Sequence, residues 1–181
     1  MANNLLEDSH KKHLKEISCK ALNEAGRIAT KLKNSIHVAY KSESQPVTNA
    51  DREIDNYLKS YFKAHTPNFG WLSEESYDDK SRLDRDFFWC LDPIDGTRSY
   101  INKKPEYTIS LALIEKNQPV IGHILNPETR EYFYAEKNNG AFCNEKKITV
   151  NNPSKIDECK IAISSSEIKK LESYDIFKTK K

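Results

Sequence analysis

The stretch Asp92-Pro93-Ile94-Asp95-Gly96-Thr97 sets two carboxylates three residues apart, directly after the apolar run Phe87-Phe88-Trp89-Cys90-Leu91. A strand ending there hands its carboxylates to a turn, and loops at strand ends commonly carry chemistry. Pro93 stiffens the turn and Gly96 admits an unusual backbone angle, so the two carboxylates can converge instead of splaying. Converging carboxylates repel unless one keeps its proton or a cation binds, and oxygen-only donors suit a hard ion such as Mg2+. Two more acidic features lie upstream. Ser73-Glu74-Glu75-Ser76 follows the apolar run from Phe69 to Leu72 and offers a second carboxylate pair from a second strand end. Asp51, in Pro46-Val47-Thr48-Asn49-Ala50-Asp51, falls in the first turn of an expected helix. Singly, each has a plain reading: Asp, Pro and Gly favour turns, Glu pairs are ordinary on solvated loops, and a helix dipole favours an acid in its first turn.

The three features in this order, PVTxAD, then SEE, then DPIDGT, resemble the ordered signature of the inositol monophosphatase superfamily. The resemblance runs on through Arg98-Ser99-Tyr100-Ile101, YTISLALIE, PVIGHILNP and EYFYAEKNNGAFCNEKKITV, and fades near the C-terminus. Ser73, where inositol monophosphatases more often have Gly, and the wording DPIDGTRSYI are most similar to the 3'(2'),5'-bisphosphate nucleotidase (CysQ-type) branch. What the resemblance implies is Mg2+-dependent hydrolysis of a phosphomonoester by metal-activated water, with Glu74, Asp92, Asp95 and the Ile94 carbonyl as metal ligands. It further implies that Thr97 hydrogen-bonds the attacking water, that Asp51 orients the Thr97 hydroxyl and supports proton removal, and that Glu74 is both ligand and catalytic. The substrate implied is a small phosphorylated metabolite, 3'-phosphoadenosine 5'-phosphate or an inositol phosphate. The family's C-terminal domain supplies a further Asp within a WDxxAG-like motif, which does not occur in this sequence. The expectation is therefore a chain that is incomplete and weakly active or inactive, with homo-oligomerisation open.

Some residues admit both a plain and a functional reading. Backbone N–H groups of Gly96 and Thr97 at the start of a short helix would point at a substrate phosphate, and Thr97 could equally act as a helix cap. Glu75 reads as a polar neighbour of Glu74, Lys41 as an exposed surface lysine, and the five histidines show no ligand spacing. The string Ile94-Asp95-Gly96-Thr97 superficially resembles the DxDGT of haloacid-dehalogenase phosphatases, but Pro93 stands where their nucleophilic Asp is needed. An EF-hand fails because the acids after Asp92 do not continue in its alternating pattern. The rival from outside enzymology is a degenerate remnant that binds metal or a partner without turnover.

The elements that must hold these residues follow from hydrophobic period. Leu14, Ile17, Ala21, Ala25, Ile28, Leu32 and Ile36 recur at steps of three and four, which predicts one long amphipathic helix. A second helix is expected from Ala50 to Ala64, with Ile54, Leu58, Tyr61 and Phe62 on one side, Thr48 or Asn49 as its cap and Thr66-Pro67 as its stop. Short β-type runs follow at 69–72, 87–91, 107–115, 120–125, 131–135, 147–150 and 160–164, with turns at Lys116–Pro119 and Asn126–Thr129. The layout is α+β: two long helices packed on a mainly antiparallel sheet, the N-terminal half of the layered α/β sandwich that the resemblance implies. Residues 1–153 read as a metal-binding domain and 154–181 as the start of a truncated second one.

Composition narrows the class. Against 29 Lys and Arg stand 27 Asp and Glu, a net charge of +2, which carries no nucleic-acid or anionic-membrane signature. Cys19, Cys90, Cys143 and Cys159 are widely spaced without a CxxC pair, which suits reduced thiols in the cytoplasm. The N-terminus lacks the pattern of a secretory signal, no apolar run is long enough to span a bilayer, and the Lys-rich end from Lys169 to Lys181 reads as a solvated tail.

Overall fold

In the computed structural model, residues 7–152, 155 and 158–160 are described. By its internal contacts the chain divides into two units, Met1–Ile148 and Thr149–Lys181, and every element below belongs to the first. Helix α1 spans Asp8–Leu32 and α2 spans Asn49–His65. The apolar stripe of α1 is buried at Leu14, Ile17, Ala21 and Ala25, and Leu22 and Ala29 widen it. Ala21, Ala25 and Ala29 have almost no side chain to hold two helices apart, and α2 packs closely here. Ile36 lies beyond the helix end and only leans on the core, because the chain turns at Leu32–Ser35. Helix α2 stops where expected: Thr66 precedes Pro67, a position that disfavours the α conformation, and its hydroxyl donates back to the Phe62 carbonyl at 2.9 Å.

Seven strands form one sheet in the order β3 (Gly70–Ser73), β4 (Phe87–Asp95), β5 (Thr108–Glu115), β6 (Gln118–Asn126), β7 (Glu131–Glu136), β8 (Gly140–Cys143), β9 (Lys146–Ile148). All neighbours are antiparallel except β3 and β4, which run parallel. Lys116 and Asn117 join β5 to β6 with φ of 46° and 68°, the left-handed pair of a two-residue hairpin whose twist matches its strands. Two elements escaped the sequence reading. A separate hairpin, β1 (Val38–Ser42) with β2 (Gln45–Thr48), occupies the region read only as polar, because β1 is mostly exposed and β2 has only four residues, so neither shows alternation. Strand β8 is four residues with no alternation either, and the strand expected over 147–150 is found at Lys146–Ile148.

Both helices cover one face of the sheet. There Trp89 and Leu91 of β4, Ile109, Leu111 and Leu113 of β5, and Ile121 and Leu125 of β6 are buried at alternate positions, as the pleat requires. Two polar tips inside this core find partners: Trp89 Nε1–H donates to Thr66 Oγ1 at 3.0 Å and Tyr100 OH to the Ala29 carbonyl at 2.7 Å. His123, to which the sequence gave no chemistry, is buried between Ser18 Oγ at 2.9 Å and Tyr132 OH at 2.7 Å, tying α1 to β6 and β7. Burial, with help from the Lys15 charge, pushes its imidazole down to about 3, so it is a neutral structural link. Among the described residues no helix is long and apolar enough to cross a membrane. The strand expected from Lys160 to Ser164, the Lys-rich end and the domain expected over 154–181 lie outside the described residues, except at 155 and 158–160.

Candidate metal centre

The parallel pairing of β3 and β4 is what brings the acidic motifs together. Ser73 pairs with Leu91, so the next residues, Glu74 and Asp92, leave the same end of the sheet side by side. The backbone confirms the continuation: Glu74 N–H donates to the Leu91 carbonyl at 3.3 Å. Strand β4 does not end at Leu91, as the apolar run suggested, but continues to Asp95. Asp92 pairs with Ser110 and Asp95 with Thr108, three residues on β4 against two on β5, so β4 carries one extra residue here. Pro93 and Ile94 sit inside this bulge, where a proline withholds no ladder hydrogen bond, and bulges re-aim the side chains around them. Gly96 then turns the chain with φ +90°, and a Cβ there would lie 2.7 Å from the Glu106 carbonyl oxygen. Only glycine meets both demands.

Helix α3, Thr97–Ile101, begins at this turn with Gly96 as its cap residue and no side-chain cap. Thr97 is therefore the first helical residue, and its hydroxyl donates to the Ile94 carbonyl at 3.0 Å. Asp51 is 2 % exposed and completes a capping box at the start of α2: Thr48 N–H and Thr48 Oγ1 donate to its Oδ2 at 2.8 and 2.5 Å. Thr48 takes the cap, while Asn49 Oδ1 accepts from His37 N–H at 2.8 Å and anchors the incoming loop. Burial raises the Asp51 carboxyl above its ordinary value, with the Thr48 hydrogen bonds working against that rise.

Electrostatically the centre is negative. Asp92 is pushed up to about 6, first by burial and then by Glu74, Asp95 and Asp51, whose charges all act on it. The carboxylates expected from the sequence thus all act electrostatically on Asp92. The donors are carboxylates plus the Ile94 carbonyl, all hard oxygen, which fits a small divalent cation and not a thiolate- or imidazole-loving metal. Among the described residues no three His, Cys, Asp or Glu side chains are already drawn in tightly enough to hold an ion. The Glu74 side chain is 60 % exposed, with Lys41 Nζ 3.6 Å from its Oε1.

Two residues read as surface neighbours are part of this arrangement. Glu75 is only 7 % exposed at its side chain and pairs with Lys41 Nζ at 2.6 Å. Burial raises the Glu75 carboxyl, with the Lys41 hydrogen bond opposing it. The signal was hidden because the hairpin that delivers Lys41 was itself invisible in the sequence pattern.

The chain belongs to the inositol monophosphatase family, whose pattern it matches over residues 10–179. It is similar to inositol monophosphatase 2 of Saccharomyces cerevisiae, 36 % identical over 105 residues, covering 58 % of this chain and 36 % of that protein. It is also similar to the 3'(2'),5'-bisphosphate nucleotidase CysQ of Buchnera aphidicola, 34 % identical over 113 residues, covering 60 % of this chain and 43 % of that one. Among solved structures, a Thermotoga maritima IMPase superimposes with a TM-score of 0.75 at 29 % identity, over 81 % of this chain and 57 % of that chain. The chain thus spans about half the length of the relatives it matches, or less. An IMPase/NADP phosphatase solved with Mg2+ and phosphate shares the fold, with a TM-score of 0.69 at 23 % identity over 76 % of this chain and 52 % of that chain. Nucleotidases and inositol monophosphatases both stand among the relatives, so the bisphosphate-nucleotidase branch is one of several similar to this chain.

Proposed function

We infer that the chain binds Mg2+ through Glu74, Asp92, Asp95 and the Ile94 carbonyl and serves the hydrolysis of a small phosphate monoester. The observation that carries this reading is the juxtaposition of the β3 and β4 ends, which sets Glu74 beside Asp92 with Asp95 across a bulge. Mg2+, when bound, supplies neutralisation of the phosphoryl oxygens and activation of water. The protein's part is to hold that charge and to place the other groups. Gly96 and Thr97 present backbone N–H groups toward a phosphate at the start of α3. The Thr97 hydroxyl, which donates to the Ile94 carbonyl, turns to the attacking water. Asp51, whose carboxylate accepts from Thr48 in this structure, would orient that hydroxyl and support proton removal once the Thr97 hydroxyl leaves the Ile94 carbonyl. The substrate we propose is 3'-phosphoadenosine 5'-phosphate ahead of inositol monophosphate, on the wording of Ser73-Glu74-Glu75 and Asp92 to Ile101 and on the similarity to a CysQ nucleotidase. A cytoplasmic setting goes with the four free thiols.

Two experiments bear on turnover. Comparing kcat/KM for the two substrates in saturating Mg2+, with Asp95→Asn as background, tests the substrate; a clear advantage for inositol monophosphate refutes the assignment. The same assay tests the expectation that these 181 residues alone turn over slowly, since a site of three carboxylates holds the cations that neutralise the transferring phosphoryl charge less well than one with a fourth. Robust activity that vanishes in Asp95→Asn overturns that expectation.

A further inference from the structure

The β1–β2 hairpin carries one feature that its own pairing does not need. Tyr40 pairs with Pro46 and Ser42 with Gln45, two steps on β1 against one on β2, so Lys41 is the extra, unpaired residue of a bulge. A bulge redirects the side chain it contains. Here the Lys41 ammonium lies 2.6 Å from Glu75 Oε1, 3.1 Å from the Glu74 carbonyl oxygen and 3.6 Å from Glu74 Oε1. It therefore grips the backbone of the turn that carries Glu74, not only its side chains. The two glutamates are treated unequally: Glu75 is 7 % exposed and closely paired, while Glu74 is 60 % exposed and only loosely approached. The hairpin is fastened in turn, because Arg98 of α3 donates to the Ser44 carbonyl at its tip at 3.0 Å.

The geometry points to Lys41 as a positioning residue for the metal centre: with Glu75 it locks the Glu74–Glu75 turn so that the Glu74 carboxylate is presented beside Asp92. This rests on the reading of Glu74 and Asp92 as ion ligands. The competing possibility is that a nearby ammonium merely repels an incoming cation. The distances decide between them, since the short contacts are to Glu75, whose side chain is 7 % exposed, and to the turn backbone, which leaves little of the ammonium's hydrogen bonding directed at the Glu74 carboxylate. Without Lys41, Glu75 becomes a buried charge with no partner, a condition relieved by rearranging the turn. Outer partners that orient a metal ligand typically change affinity by about 10–100-fold when removed.

The test is Mg2+ calorimetry together with amide hydrogen exchange at residues 74–76, on the wild type, Lys41→Met and Lys41→Arg. Met keeps the stem of the side chain without the charge, and Arg keeps the charge. Lys41→Met should bind Mg2+ about tenfold more weakly and exchange faster at the Glu74 amide even without metal, and Lys41→Arg should recover most of both. The double variant Lys41→Met/Glu75→Gln, which removes the stranded charge, should also recover part of the affinity. Unchanged or tighter Mg2+ binding in folded Lys41→Met overturns the proposal. If the wild type itself binds no Mg2+, the ion-site reading falls, and the exchange measurement alone decides whether Lys41 locks the turn.

Discussion

Replacing Gly96 by alanine should cost far more than the size of one methyl group suggests. The residue sits at φ +90°, in the left-handed region where an L side chain costs about 1–2 kcal/mol. The added Cβ would also lie 2.7 Å from the Glu106 carbonyl oxygen and 3.2 Å from Tyr107 Cα, both backbone atoms that cannot swing aside. Overpacking of that kind costs typically about 1–3 kcal/mol. Alanine stiffens the unfolded chain and returns a few tenths, so the net loss is roughly 3 kcal/mol, or on the order of 10 °C in Tm for a domain of this size. Gly122→Ala is the internal control: nothing lies within 4 Å of its Cβ, so the change should be neutral or stabilise by about 0.5 kcal/mol. Urea unfolding of the three proteins, compared by midpoint and slope, reads the difference directly. A loss below about 1 kcal/mol for Gly96→Ala, or equal losses at both glycines, would refute the argument that this turn is held by backbone contact.

Stability should fall in acid through His123. Its folded-state value of about 3 lies below the ordinary 6.5, so its contribution is complete above about pH 6.5 and is lost as pH falls toward 3, at up to about 1.4 kcal/mol per pH unit. Asp92, raised to about 6, acts in the opposite sense between its ordinary 3.8 and that value, so the pH dependence of wild type minus His123→Gln is the quantity to measure; a flat difference from pH 7 to 5 contradicts the assignment. Thr48→Ala removes the side-chain half of the capping box on α2, leaving the backbone N–H at position 48 to donate to Asp51, and should cost about 1 kcal/mol by thermal unfolding.

The sequence carried the long-range facts that depend on period and on residue chemistry. Leu14 through Ala25 announced α1 by spacing, Thr66-Pro67 its partner's end, and Lys116-Asn117 a hairpin turn, because each is a local demand that local residues must satisfy. The acidic motifs were legible as types and as a resemblance, yet what places Glu74 next to Asp92 is the parallel register of β3 and β4. Parallel pairing leaves no turn signature between the two strands, and a mainly antiparallel sheet was the expectation. The bulge at Pro93–Ile94 was read as a turn because proline and glycine mark both. Lys41 and Glu75 were legible only as charges on polar segments; their pairing depends on the β1–β2 hairpin and on a contact thirty-four positions apart. Asp51 was placed in the first turn of α2, and its engagement by Thr48 follows from the Thr48-x-x-Asp51 spacing of a capping box, whereas the Thr97 hydroxyl's choice of the Ile94 carbonyl is a side-chain geometry that no spacing encodes.

The most direct test of the account is isothermal calorimetry of Mg2+ binding to the wild type and to Asp92→Asn at pH 7.5. Asp92 is the residue toward which Glu74, Asp95 and Asp51 all direct their charge, so its neutralisation removes the shared ligand while relieving repulsion in the metal-free fold. The account predicts measurable Mg2+ binding in the wild type, loss of that binding in Asp92→Asn, and a folded variant by thermal unfolding. Mg2+ binding that is unchanged in Asp92→Asn would contradict it.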